Sequence, residues 1–256
     1  MTDDVVLFTV NAGVASLTLN RPAAGNAMSL ELMEDLLRLI RDAEADESCT
    51  VLVIRGAGRV FCGGGDLNDL ARAGQDDALQ QRMVTALQDA MYSLAASRLV
   101  VISAVGGAAA GAGLGLVLNT DIVLASTKAS FHGAYGAIGL TPDAGVSYLL
   151  PATIGRTRAS TMLLAGAPVT AAQALQWGLV SEVLEPEQLD ARADELAAQL
   201  STGAAHALGT TKKLLGASAL TGYRAHLDVE AASITAISTH PETQSRIRAL
   251  IAKATK

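Results

Sequence analysis

Along the first half of the chain, short β-branched runs alternate with longer segments of helical period. Val5 to Val10 and Val14 to Leu19 flank Asn11-Ala12-Gly13, which predicts a hairpin because Asn and Gly supply the backbone conformations a tight turn demands. Pro22 ends the second run, and Ser29 stands where an N-cap belongs for a helix over Leu30 to Ala45. Thr50 to Arg55 reads as a buried strand stopped by Gly56-Ala57-Gly58, and Leu67 to Ser97 reads as helix with a break near Gly74. Leu99 to Val105 repeats the buried-strand pattern, Gly111 to Asn119 is helical, and Asp121 to Ser126 is a further strand. From Ser147 onward helices dominate, broken at Gly155, Gly166-Ala167-Pro168 and Gly178. Past Glu187 no strand is expected: Leu189, Ala193, Leu196 and Leu200, then Leu214, Leu215, Leu227 and Ile234, recur at helical spacing. This order predicts an α/β core carrying a C-terminal helical layer, divided at 1–190 and 191–256.

Composition narrows the classes. Half the residues are hydrophobic but only 3% are aromatic, so the core is built from Ala, Val, Leu and Ile. A net charge of −6 argues against a nucleic-acid surface, which needs a basic face. Cys49 and Cys62 lie far apart and form no C-x-x-C pair, so neither a disulfide framework nor a zinc site is indicated. The stretch from Leu99 to Thr120 has no charge and is long enough for a membrane span. Its five interior glycines, and the lack of an aromatic belt, fit a buried strand, a turn and a buried helix instead. With the acidic start Met1-Thr2-Asp3-Asp4, unlike the basic start of a signal peptide, a cytoplasmic protein with no membrane segment is expected.

Three segments carry candidate chemistry. In Gly58 to Leu67 a strand gives way to Gly63-Gly64-Gly65, and Asp66 opens a helix; free N–H groups at such a turn can hold an anionic oxygen. Gly106 to Gly115 repeats the arrangement, and a dinucleotide loop is its rival reading. That rival needs G-x-G-x-x-G, but Leu116 stands where the third glycine belongs. In Phe131 to Gly145, Asp143 follows Pro142 ahead of a helix, where an ordinary N-cap is the plain reading. The histidines show no H-x-x-x-H or H-E-x-x-H spacing, so no metal site is expected.

Taken in order, Asn20-Arg21-Pro22 with Asn26-Ala27-Met28, then Phe61 to Leu67, Gly106 to Asp121 and Phe131 to Gly145 resemble the signatures of the enoyl-CoA hydratase/isomerase (crotonase) family. Ala165-Gly166 and Ala174 to Val180 look like its later element. The resemblance implies a crotonase-like superhelix of ββα units, with C-terminal helices that pack trimers, often doubled to hexamers. It implies an acyl-CoA thioester substrate, with coenzyme A as part of that substrate and no separate cofactor. The thioester carbonyl would sit between the backbone N–H groups of Gly65 and Ala112. Coenzyme A would run along Asn26, Ala27, Met28, Gly63 and Gly65 to Asn68, which includes Asp66 and Leu67. Arg21, Lys212, Lys213, Arg248 and Lys253 are candidates for its phosphates.

The same resemblance separates reactions. The two glutamates of the hydratases fall at Gly115 and Tyr135, neither of which is a carboxylate, so efficient hydration is not expected. Members that shift a double bond carry their single acid in a Pro-Asp/Glu-x-Gly segment, here Pro142-Asp143-Ala144-Gly145. One carboxylate suffices to take a proton at C2 and return it at C4, which makes Asp143 the expected acid/base of a Δ3 to Δ2 isomerisation. Tyr135 is left to line the acyl pocket or donate a hydrogen bond. The alternatives are another acyl-CoA reaction (weak hydration, hydrolysis or dehalogenation) and an acyl-CoA binder without chemistry.

Overall fold

The computed structural model describes residues 4–254; the acidic start at Met1 to Asp3 lies outside the described residues. Strands β1 (Val6–Asn11) and β2 (Val14–Leu19) form the hairpin, with Val6 opposite Leu19. Helix α1 (Leu30–Ala45) is capped by Ser29, whose hydroxyl accepts from the Leu32 N–H. Then follow β3 (Val51–Gly56), β4 (Val60–Cys62), α2 (Leu67–Ala73) and α3 (Asp77–Ala96). The next unit is β5 (Val100–Val105), β6 (Ala108–Ala110) and α4 (Ala112–Leu118), and after it β7 (Ile122–Ser126), β8 (Ser130–His132) and α5 (Tyr135–Ile138). Beyond these lie α6 (Val146–Ile154), α7 (Arg156–Leu164), β9 (Val169–Thr170), α8 (Ala171–Trp177) and β10 (Glu182–Leu184). The chain closes with α9 (Pro186–Ser201), α10 (Ala205–Ala219), α11 (Tyr223–Ser238) and α12 (Pro241–Ala254).

The strands form two sheets, ordered β1-β2-β3-β5-β7-β10 and β4-β6-β8-β9. Each strand–strand–helix unit adds one parallel strand to each sheet, as β3/β4, β5/β6 and β7/β8 do. This is the spiral of ββα units. In the second sheet only β4, ahead of the glycine loop, is expected; β6, β8 and β9 escape prediction, and Ala108–Ala110 has no β-branched residue and is a strand because β4 and β8 flank it.

Both faces of the large sheet are covered, as a mostly parallel sheet requires. On one face, Val51, Val53, Ile102 and Leu124 pack against Leu189, Ala193 and Ala197 of α9. Residue 190 therefore lies inside a helix that belongs to the core, and a division at 190/191 cuts through α9. Helix α10 inverts the expected pattern. Its buried residues are Gly209 and Lys212, while Leu214 and Leu215 are 73% and 77% exposed. Among the described residues, no helix is long and apolar enough to cross a membrane.

Candidate functional site

The second sheet brings the two glycine loops together. Gly64, at the end of β4, has φ +98, and a Cβ there would lie 2.9 Å from the Ala110 carbonyl oxygen. Only glycine lets the loops meet this closely. Met28 docks on the first loop as a parallel bridge: its N–H donates to the Gly64 oxygen at 2.7 Å, and the Asp66 N–H donates to the Met28 oxygen at 3.1 Å. The Gly65 N–H points the other way along this extended segment and meets no acceptor among the described residues. Ala112 opens α4, so its N–H is one of the helix's unsatisfied donors.

Two cavities share this place. A cleft of about 470 Å³ runs past Ala27, Gly63, Leu67, Asn68, Tyr135 and Leu250. A smaller cavity of about 60 Å³ lies among Met28, Met33, Met83 and Leu87. Gly65, Leu70, Ala112, Asp143 and Ile234 line both, so the Asp143 carboxyl and the two unpaired N–H donors stand at the junction. The Tyr135 hydroxyl donates to Asp143 Oδ1 at 2.7 Å. Burial pushes the Asp143 carboxyl up to about 7, against the opposing pull of the Tyr135 hydrogen bond, and the nearby Glu230 carboxyl adds to the rise. Burial and the Asp143 carboxylate push the Tyr135 phenol well above its ordinary value, so it stays a hydrogen-bond donor.

Asp143 is not the N-cap that the plain reading proposes. Gly145 caps α6, and Ala144 and Gly145 both take positive φ, 56° and 80°, which turns the chain and aims Asp143 at the junction. The turn is held from three sides. Asn119 Nδ2 donates to the oxygens of Gly115 and Ala144, and the Tyr223 hydroxyl donates to Asn119 Oδ1 at 2.6 Å. Glu230, 4% exposed on α11, accepts the N–H of Gly145 at 2.7 Å and of Ser147 at 2.8 Å. The Ser147 hydroxyl also bonds Glu230 and lies 2.8 Å from His226 Nε2. None of these supports was singled out in the sequence, because each acts across tens of residues and matches no short motif. The same packing closes position 115: a Cβ on Gly115 would lie 2.4 Å from the Ala144 Cβ, so no glutamate fits there without moving the Asp143 turn.

Several expected ligand contacts prove to be internal. Asn26 is fully buried. Its side chain donates to the oxygens of Ala57, Val60 and Phe61 and accepts from the Arg21 N–H, so it braces the loop and does not line the cleft. Met28 is likewise sealed and reaches only the small cavity. Arg21 is tied to Asp66 at 2.9 Å and to the Ala27 oxygen, and Asp66 caps α2. That network leaves neither free for a phosphate, although Asp66 borders the cleft. Lys212 is 8% exposed and spends its ammonium on the oxygens of Leu94 and Leu99 and on Asp121 at 2.8 Å. It is a core lysine, not a coenzyme ligand. Lys213, Arg248 and Lys253 are exposed. Among the described residues, no group of three or more His, Cys, Asp and Glu is placed to hold a metal.

The sequence matches the family Enoyl-CoA hydratase/isomerase over residues 9–253, and the chain belongs to that family. It is 35% identical over 88% of its length, and over 86% of the relative's, to a trans-2-decenoyl-[acyl-carrier-protein] isomerase of Streptococcus mutans. It is 36% identical to a 1,2-epoxyphenylacetyl-CoA isomerase of Escherichia coli, over 89% of this chain and 87% of that one. An enoyl-CoA hydratase from Mycobacterium avium subsp. paratuberculosis superposes with a TM-score of 0.89 at 31% identity, covering 97% of this chain and 96% of the other. The two-sheet spiral is thus the crotonase fold, and the chain is a crotonase-family acyl-CoA enzyme.

Proposed function

We propose that this enzyme shifts a carbon–carbon double bond of an acyl-CoA from Δ3 to Δ2, with Asp143 as its one acid/base. The observation that carries the reading is the placement of Asp143. It is the carboxylate at the junction of the two cavities, beside Gly65 and Ala112, whereas Asp66 in the same cleft is engaged by Arg21. The name of one relative, an isomerase of a trans-2-decenoyl group, supports it.

In this mechanism the thioester oxygen lies between the Gly65 and Ala112 N–H groups. Ionised Asp143 takes the C2 proton, and the electron pair moves onto the thioester oxygen to give a dienolate held by the two donors. Each such donor lowers the barrier by about 2.7–4 kcal/mol. Asp143, now protonated, returns the proton at C4 as the double bond forms between C2 and C3. Tyr135 holds Oδ1, which leaves Oδ2 as the working oxygen. A carboxyl that titrates near 7 is matched to taking and giving back a proton at neutral pH.

The deciding experiment supplies purified enzyme with trans-3-hexenoyl-CoA and, separately, crotonyl-CoA, beside an Asp143→Asn variant. Rapid conversion of the 3-enoyl substrate, little hydration and a large loss in the variant are expected. Robust hydration, or an unimpaired variant, would sink the reading. We also propose assembly as a homo-trimer or hexamer, supported by the apolar face that Leu214 and Leu215 of α10 expose.

A further inference from the structure

The small cavity carries chemistry that the double-bond shift does not use. Most of its lining is apolar, yet Gln80 of α3 and Ser238 of α11 also border it, and neither borders the cleft. Each is only 6% exposed. Gln80 Nε2 donates to the Thr235 oxygen at 3.2 Å and to the Ser238 hydroxyl oxygen. The Ser238 hydroxyl in turn donates to the Thr235 oxygen at 2.9 Å. A carbonyl oxygen only accepts, so Thr235 fixes which end of the Gln80 amide is nitrogen. Both amide hydrogens and the hydroxyl hydrogen are then committed. What remains is Gln80 Oε1, which meets no donor among the described residues, on a side chain that borders the cavity.

The polar patch continues behind this wall. Gln244 of α12, also 6% exposed, donates to the Ser238 oxygen at 2.8 Å, and its own Oε1 is buried with no partner. It presses on Gly74, next to the cavity-lining Ala73. Of the polar side chains that border the small cavity on this side, Gln80 and Ser238 have no hydrogen left to donate, and no Lys or Arg borders it. An alkyl tail would seal Gln80 Oε1 without a partner, which is costly for a buried acceptor. A carboxylate tail would place an anion against carbonyl oxygens with no cation to offset it. A hydroxyl supplies the missing hydrogen.

We infer that the acyl group this site selects carries a hydroxyl on its tail, donated to Gln80 Oε1. The inference rests on the acyl-CoA reading but not on the double-bond shift. It is tested with saturated, unreactive thioesters, so no turnover is needed. Binding of butanoyl- to octanoyl-CoA is measured calorimetrically beside the same chains bearing a terminal hydroxyl. At the chain length that spans the cavity, the hydroxylated member is expected to bind at least about tenfold more tightly. In Gln80→Leu the preference is expected to vanish or reverse. Equal or tighter binding of the alkyl member at every length overturns the inference, and so does a hydroxyl preference that survives in a folded Gln80→Leu. The wild-type series decides even if that variant does not fold. If no thioester of either series binds, the acyl-CoA reading itself fails. Binding without a hydroxyl preference removes this inference alone.

Discussion

Asp143 sits in surroundings that oppose its charge and yet supply one hydrogen bond to it, and this balance makes its behaviour measurable. Because the base must be ionised, kcat/KM for a 3-enoyl-CoA should rise with pH and level off above about 7, the value to which burial pushes the carboxyl. Asp143→Asn should cost roughly 10²–10⁴-fold in kcat. Tyr135→Phe removes a hydrogen bond that favours the ionised form, so the rising limb should move to higher pH while the plateau stays measurable. Stability should run the other way. The unfolded carboxyl ionises near 3.8 and the folded one near 7, so between these values the native state binds the extra proton and stability falls as pH rises. Asp143→Asn should therefore melt higher than wild type at pH 8, with a smaller gain at pH 4, as thermal unfolding at the two pH values will show. The segment Pro142 to Gly145 was legible as a candidate site because its residue types are local. The hydrogen bond from Tyr135, eight positions earlier, was not legible, because it depends on α5 and the Asp143 turn facing one another.

At the scale of elements, the site is a turn clamped between α4, α6 and α11. Glu230 takes two backbone N–H groups of that turn, so Glu230→Ala leaves one buried and one part-buried donor unpaired. It should destabilise the protein by about 3 kcal/mol in chemical denaturation. Glu230→Gln keeps an acceptor but removes a charge that raises the Asp143 pKa, and the rising limb of the pH profile should move to lower pH. Gly115→Glu should not create a hydratase. Its Cβ collides with Ala144, so the expected result is loss of both stability and isomerisation, read from melting and from assays on both substrates. The longer elements formed where their sequence pattern put them because periodicity and caps act locally, as Ser29 does for α1, although α10 turns its expected apolar face outward. Strands β6, β8 and β9 of the second sheet did not, since segments as short as Ala108–Ala110 gain their hydrogen bonds only from partners elsewhere in the chain.

For the molecule as a whole, the C-terminal helices divide their labour. Helix α9 completes the core by covering the large sheet, α11 brings Glu230 to the site, and α12 brings Leu250 to the cleft. Helix α10 instead turns Leu214 and Leu215 outward, a face suited to a second copy of the chain. A Leu214→Glu, Leu215→Glu double variant should shift the light-scattering mass toward a single chain. An unchanged mass would rule this face out as an assembly surface.

The sequence by itself determined the hairpin, the main strands and helices, the two glycine loops, the absence of carboxylates at positions 115 and 135, and the aspartate in its Pro-Asp-x-Gly setting. These are properties of residue type and near spacing, on which local backbone conformation depends. The tertiary structure alone decided what those residues face. It buried Asn26 and Lys212 among backbone carbonyls, joined Arg21 to Asp66, and brought Tyr135 and Glu230 to the Asp143 turn. Burial and long-range hydrogen bonding depend on which segments the fold brings together, and no window of neighbouring residues contains that information.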